Sequence, residues 1–118
     1  MTEFKKELKS IKNHWGTDYE ITHRSKELTF IGVKDQPDFA YIEIRYQPYQ
    51  ELIELKSLKF YYYKFREKLY SYEALVNLIF NDIREIYDPN ALEVSIVLNP
   101  RGGIESKVRK NSAGIKWI

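Results

Sequence analysis

The sequence contains no cysteine. Disulfides, zinc–thiolate centres and any cysteine nucleophile are therefore excluded. Histidine is limited to His14 and His23, both in a stretch that reads as loop, so a histidine-ligated metal is not expected. The 5 glycines and 4 prolines are scattered, and form neither a glycine-rich phosphate loop nor a nucleophile elbow around a serine. No apolar run reaches the length of a signal peptide or membrane span, and the residues after Met1 are polar and lysine-rich. A soluble, cytoplasmic protein without membrane contact is the expectation. Charge is balanced too: 19 Lys and Arg against 17 Asp and Glu leave a net +2, too little to argue for nucleic acid by itself.

What remains is a chain of 118 residues, the size of one compact domain. No repeat, linker or composition shift divides it. The reading is a single domain over 1–118, with a helical leader and loop over 1–26, a core over 27–110 and a tail over 111–118. Ten tyrosines and six phenylalanines supply core material and stacking surface for a planar ligand.

Phe4, Leu8 and Ile11 recur at helical spacing and predict a short helix from Thr2 to about Lys12. His14–Lys26 is polar and reads as loop. Leu28–Val33 is a short strand, broken by Asp35-Gln36-Pro37-Asp38. Tyr41–Tyr46 alternates, with Ile42, Ile44 and Tyr46 on one face. Leu58, Tyr61, Tyr62, Phe65 and Leu69 then predict one helix, and Val76, Ile79, Phe80, Ile83 and Ile86 a second, with Ser71 as N-cap and Asp88-Pro89-Asn90 as its end. Leu92–Leu98 alternates as a strand. Pro100 and Gly102-Gly103 make a turn into a last strand over Ile104–Lys110. The order is β-β-α-α-β-β: an α+β fold with a four-stranded antiparallel sheet and two helices on one face. Its open edges favour side-by-side assembly of subunits.

Three stretches resemble one family. Gln36-Pro37-Asp38-Phe39-Ala40 is similar to the end of the segment Cys-Pro-x-Thr-Gly-Gln-Pro-Asp-Phe-Ala of the QueF family of NADPH-dependent 7-cyano-7-deazaguanine reductases. Glu54-Leu55-Lys56-Ser57-Leu58-Lys59-Phe60-Tyr61, continuing into Phe65-Arg66, resembles that family's signature segment. Glu73 with Val76-Asn77-Leu78-Ile79 and Asn81-Asp82 resembles its His-Glu-x-x-Val-Asn-x-Ile-x-Asn-Asp helix. Asp88-Pro89 and Pro100-Arg101-Gly102-Gly103-Ile104 fall where the family places the same residues. The likeness covers Thr29 to Ile104 and is specific as a set.

The resemblance implies the tunnelling fold, with subunits assembling into barrels and ligand sites between them. It implies a reaction in which a cysteine thiolate adds to the nitrile to give a thioimide. NADPH then reduces this to the aminomethyl base used for queuosine in tRNA. By this match Asp38 is the acid/base, and Glu73 holds the 2-aminopyrimidone edge of the purine, with Tyr72 and Ser57 beside it on the substrate side. Glu54, Lys56, Ser57 and Lys59 belong to the NADPH signature. Without the resemblance, Asp38 reads as a turn residue after Pro37 and Glu73 as a first-turn helix acid. The lysines then read as the solvated face of an amphipathic helix.

The departures are equally specific. The nucleophile's position is held by Ile31, with Gly32 where its proline belongs, and Tyr72 replaces the family's histidine. Isoleucine forms no thioimide, and neither Ser25 nor Thr29 can substitute. The expectation is a protein that binds a 7-deazaguanine-like purine in a homo-oligomer, with nitrile reduction impaired or altered. The alternatives are a non-catalytic purine-, pterin- or RNA-binding assembly protein, an enzyme with other chemistry at the same pocket, and a mixed oligomer with a cysteine-bearing paralogue. Phe60 and Tyr61–Tyr63, interleaved with lysines, are the feature that would favour RNA, though helical spacing turns several of them into the core.

Overall fold

A computed structural model describes residues 3–32, 37–112 and 117. A 3-10 helix (Glu3–Glu7) leads into β1 (Ser10–Lys12), followed by β2 (Ile21–Ile31), β3 (Pro37–Gln47) and β4 (Glu51–Ile53). Two helices come next, α1 (Leu55–Tyr63) and α2 (Tyr72–Tyr87), and the chain closes with β5 (Ala91–Arg101) and β6 (Ile104–Asn111). β2, β3, β5 and β6 form one antiparallel sheet in the order β2-β3-β5-β6, and β1 and β4 pair separately.

Period-two alternation builds the sheet's inner face. Ala40, Ile42, Ile44 and Tyr46 of β3 stand opposite Leu98, Ile96, Val94 and Leu92 of β5, and all but the half-buried Leu98 lie in the core. Leu58, Tyr61 and Tyr62 of α1 and Leu75, Val76, Ile79, Phe80, Ile83 and Tyr87 of α2 join the same apolar cluster, so both helices cover one face. Each such aliphatic or aromatic side chain stabilises the fold by about 1.5–3 kcal/mol on full burial. α2 lies over β5 and β6, and α1 over β2.

Local chemistry sets the boundaries. Ser71 Oγ accepts the Ala74 N–H at 3.1 Å and starts α2. Asp88, at φ 44°, ends it in the left-handed conformation ahead of Pro89. Gly102 and Gly103, at φ 59° and 79°, supply the two positive-φ positions of the tight β5–β6 hairpin.

Three expectations are corrected. The leader helix stops at Glu7, and Ser10–Lys12 instead pairs as a strand with Glu51–Ile53. It does so because the Lys9 backbone is bound to the start of α1: Glu54 N–H donates to the Lys9 carbonyl at 3.1 Å and Lys9 N–H to Ser57 Oγ at 2.9 Å. The segment read as loop to Lys26 is strand from Ile21, since Ile21–Ser25 pairs with Ile42–Tyr46, so His23 sits in β2. Finally, α1 ends at Tyr63, six residues before Leu69. The chain turns there to lay Lys68–Tyr70 along Ile31. Val33 and Asp35-Gln36, read as strand end and breaker, lie outside the described residues, whereas Pro37 and Asp38 open β3.

Candidate functional site

Of the matched substrate residues, Asp38, Tyr72 and Glu73 gather at the end of the sheet where β2 finishes and β3 begins, whereas Ser57 lies at the start of α1, bonded to Lys9 and Glu54, and is not brought beside them. The register sets Ile31 against Pro37 and Phe30 against Asp38. Ile31 N–H donates to the Lys68 carbonyl and Tyr70 N–H to the Ile31 carbonyl, both at 2.9 Å. The next residue, Ser71, caps α2, so Tyr72 and Glu73 begin that helix at the same end. Tyr72 is half-buried against the core, and Glu73 is exposed at the helix's first turn.

Strand alternation divides these positions between two faces. Phe30 and Asp38 face the helix-covered side, the side on which α2 begins, while Ile31 and Phe39 face the open side. Asp38 and Glu73 are thus brought to one end and one side, and Ile31 is brought to the same end but turned from Asp38. Phe39, Leu69 and Ile104 add exposed apolar surface at this end, at 56%, 56% and 69%.

A buried polar pair lies behind this end. The Asp82 carboxylate, fully enclosed, accepts a hydrogen bond from the Tyr61 hydroxyl at 2.7 Å. Burial and the adjacent carboxylate hold the Tyr61 hydroxyl far above its ordinary pKa, and burial together with the charge of Asp82 raises Tyr70 as well. Tyr70 is also the residue whose backbone N–H donates to the Ile31 carbonyl. In the sequence Asp82 was visible only as part of the family helix motif. Its flanking core residues Phe80 and Ile83 were the available signal that it points inward.

The cofactor-signature residues divide differently. Glu54 is the N-cap of α1, its carboxylate accepting the Ser57 N–H at 3.0 and 3.2 Å. Ser57 Oγ donates to the Glu54 carbonyl at 2.7 Å and is buried. Tyr87 reinforces the same corner, its hydroxyl donating to the Lys9 carbonyl at 2.7 Å. Glu54 and Ser57 therefore build the start of α1. Lys56 and Lys59 are both exposed but line separate depressions. Lys56 lies with Glu54, Ser57, Glu7, Lys9 and Phe60 around a depression of about 320 Å³, while Lys59 alone of the four opens onto a cleft of about 330 Å³ between α1 and the free edge of β2. Thr22, His23, Leu58, Tyr62 and Tyr63 form the walls of that cleft. Burial lowers the His23 pKa and keeps its imidazole neutral at pH 7. Among the described residues, no group of three or more His, Asp and Glu is placed to hold a metal, and no helix is long and apolar enough to cross a membrane.

A family model described as QueF-like protein matches residues 37–116, from the first residue of β3 to beyond β6. The chain belongs to the QueF-like family. Curated relatives named NADPH-dependent 7-cyano-7-deazaguanine reductase include one from Prochlorococcus marinus, 41% identical over 96 residues and covering 78% of this chain and 66% of its own. One from Staphylococcus aureus is 41% identical over 99 residues, with 82% and 60% covered. A third, from Parabacteroides distasonis, is 39% identical over 92 residues, with 77% and 59% covered. The chain thus spans between 59% and 66% of the length of these three relatives. The crystal structure of the archaeosine synthase QueF-Like in the apo form superposes with a TM-score of 0.71 at 15% identity, covering 83% of this chain and 95% of that one. That likeness establishes the fold alone. Together with the β-β-α-α-β-β order, it makes the QueF-like chain a tunnelling-fold protein, as the sequence led one to expect.

Proposed function

We propose that this QueF-like chain binds a 7-deazaguanine-type purine at the strand end bearing Asp38, Tyr72 and Glu73, and that it does not reduce the nitrile as its relatives' name describes. The carrying observation is the convergence of Asp38 and Glu73 on one side of one sheet end, with an isoleucine in the nucleophile's place. A carboxylate at residue 73, exposed at a helix start, is free to accept two hydrogen bonds from a ring N–H and an exocyclic amine. Half-buried Asp38 is suited to exchange a proton with a bound base. The aliphatic side chain of Ile31 offers no electron pair to a nitrile carbon.

The exposed Leu69 and Ile104 support a site completed by a second subunit, since apolar surface at a pocket rim is the usual mark of an interface. A homo-oligomer in the cytoplasm is the primary reading. A paralogue carrying the missing cysteine is the second partner that would fit the same rim and restore queuosine-pathway chemistry.

NADPH, when bound, supplies hydride. The residues fit one end of such a cofactor: Lys59 offers an ammonium to a phosphate at the mouth of the 330 Å³ cleft, and Tyr62 and Tyr63 offer ring surface. Glu54 and Ser57 contribute indirectly by fixing the first turn of α1, and Lys56 serves the neighbouring depression.

Calorimetric titration with 7-cyano-7-deazaguanine, with and without NADPH, followed by product analysis, tests the reading. Saturable binding without an aminomethyl product is expected, and Glu73→Gln should weaken it by about 2 kcal/mol, the scale of a hydrogen bond to a charged group. Formation of the amine would refute the cysteine argument, and unchanged affinity in Glu73→Gln would refute the anchor.

A further inference from the structure

The sheet face opposite the helices has two unlike halves. In the half away from the purine end, every acidic side chain of the face is matched by an arginine. Arg45 meets Glu20 at 3.0 Å and Glu93 at 3.6 Å, Arg109 meets Glu93 at 3.1 Å, and Arg24 meets Glu43 at 2.6 Å. The half nearer the purine end carries aromatic rings and lysines, with the exposed Glu105 at its margin two positions from Lys107. Tyr41 and Phe39, 46% and 56% exposed, project from the same side of β3 two positions apart, a separation of roughly 7 Å along a strand. Lys26 Nζ stands 5.7 Å from the Tyr41 ring centroid. On the other flank, Val97 pairs with Tyr41 and Lys107 with Val97. Neither lysine forms an ion pair among the described residues. A depression of about 200 Å³ on the Lys107 side of Tyr41 is lined by Arg24, Ile42, Glu43, Ser95 and Val97 as well as by these two residues.

We propose that this strip binds single-stranded nucleic acid, with bases stacked on Tyr41 and Phe39 and phosphates at Lys26 and Lys107. Exposed rings succeeding one another along a strand offer sequence-tolerant stacking, and ammonium groups on both flanks follow a phosphate backbone. Glu43, the carboxylate at the depression, is covered by Arg24 and adds no net repulsion. A protein partner fits this strip less well, because lysines are depleted from the centres of protein interfaces, whereas here they bracket the most exposed ring of the depression. The strip is independent of the purine site: it uses none of Asp38, Tyr72, Glu73 or the α1 lysines.

The test is fluorescence anisotropy with labelled oligouridylate and oligodeoxythymidylate of about 12 nucleotides, within the usual span of such sites, at low and moderate salt. Binding should weaken with salt, and Tyr41→Ala should weaken it about tenfold or more, the cost of losing one stacked base. Lys26→Ala with Lys107→Ala should flatten the slope of log affinity against log salt by about 1.4, for two released single-strand phosphates. Equal affinity for the two oligomers supports stacking and phosphate contacts alone, and a preference for the ribose form adds a 2′-hydroxyl contact to the same strip. These side chains are exposed, so the variants should keep the wild-type circular dichroism and bind 7-cyano-7-deazaguanine unchanged. Absence of salt-dependent binding, or unchanged affinity in Tyr41→Ala, overturns the proposal. So does an equal loss in Phe60→Ala, which would move the site to α1. A change of oligomeric state in Tyr41→Ala also overturns it, since a second copy would then be the occupant.

Discussion

Tyr61→Phe isolates one hydrogen bond in the core. The ring stays in place, since Tyr61 is fully buried and packs edge-to-face on Phe65 with centroids 5.2 Å apart. What disappears is the hydroxyl that donates to Asp82 at 2.7 Å. A hydrogen bond to a charged group contributes about 1.5–3 kcal/mol, and removing a donor from a buried carboxylate draws on the upper part of that range. Asp82 makes further interactions, so it is not stripped bare, and the expected loss is about 2 kcal/mol. Unfolding entropy of about 2.1 cal/mol/K per residue, taken over 118 residues, is about 0.25 kcal/mol/K, so Tm should fall by about 8 °C. Thermal and urea unfolding of wild type, Tyr61→Phe, Asp82→Asn and the double variant measure the loss and the coupling together. The coupling should exceed about 1 kcal/mol, because the two groups meet directly. A loss in Tyr61→Phe below about 0.5 kcal/mol, or additive single variants, would show that the hydroxyl–carboxylate bond does not tie α1 to α2 as described.

Other perturbations read different parts of the molecule. Burial lowers the folded-state pKa of His23 below 6.5, so on acidification the unfolded chain takes up a proton that the folded chain refuses. Stability should therefore fall as pH drops below about 6.5, less steeply in His23→Gln, and parallel Tm profiles for the two would contradict the burial. At Gly103, φ is 79° and no atom lies within 4 Å of an added Cβ, so Gly103→Ala should cost about 1–2 kcal/mol through backbone strain alone. Gly103→Asn should cost less; equal losses in chemical denaturation would argue against the positive-φ turn. Ile31→Cys restores a thiol at the matched position, yet alternation turns residue 31 away from Asp38. Mass spectrometry should find no covalent adduct with 7-cyano-7-deazaguanine, and a stoichiometric adduct would refute the division of faces.

The elements legible in the sequence were those whose pattern and punctuation agree. β3 alternates without interruption, and α2 carries an apolar stripe between Ser71 and Asp88-Pro89. Gly102-Gly103 marks a hairpin by its composition, because glycine takes both positive-φ positions without strain. The first half of β2 was missed for a physical reason: its helix-side positions there include His23 and Ser25, which line a cleft instead of a core and so read as polar loop. β1 and β4 were illegible because three-residue strands have no period, and their pairing is imposed by the Lys9 backbone bonds to α1. At the site, the resemblance named Asp38 and Glu73, and the topology gathers them at one end. Spacing could not tell that Lys56 and Lys59 open onto separate depressions, nor that Glu54 and Ser57 are engaged in capping. Asp82 escaped as a functional candidate because a helix acid is solvated by default, and only its packing reveals otherwise.

The Lys9 corner also governs how the molecule is completed in time. Lys9 is bound to Glu54, to Ser57 and, across 78 positions of sequence, to Tyr87. None of these partners exists when residues 3–12 leave the ribosome, and the last arrives only with the final turn of α2. The leader must therefore wait, unpaired, through synthesis of both helices, and a contact of such high sequence separation closes late and slowly. Fluctuations that open this corner break its bonds to both helices together. The Glu54 cap on the Ser57 N–H lies within the start of α1 and remains, so Lys59 and its cleft keep their helix.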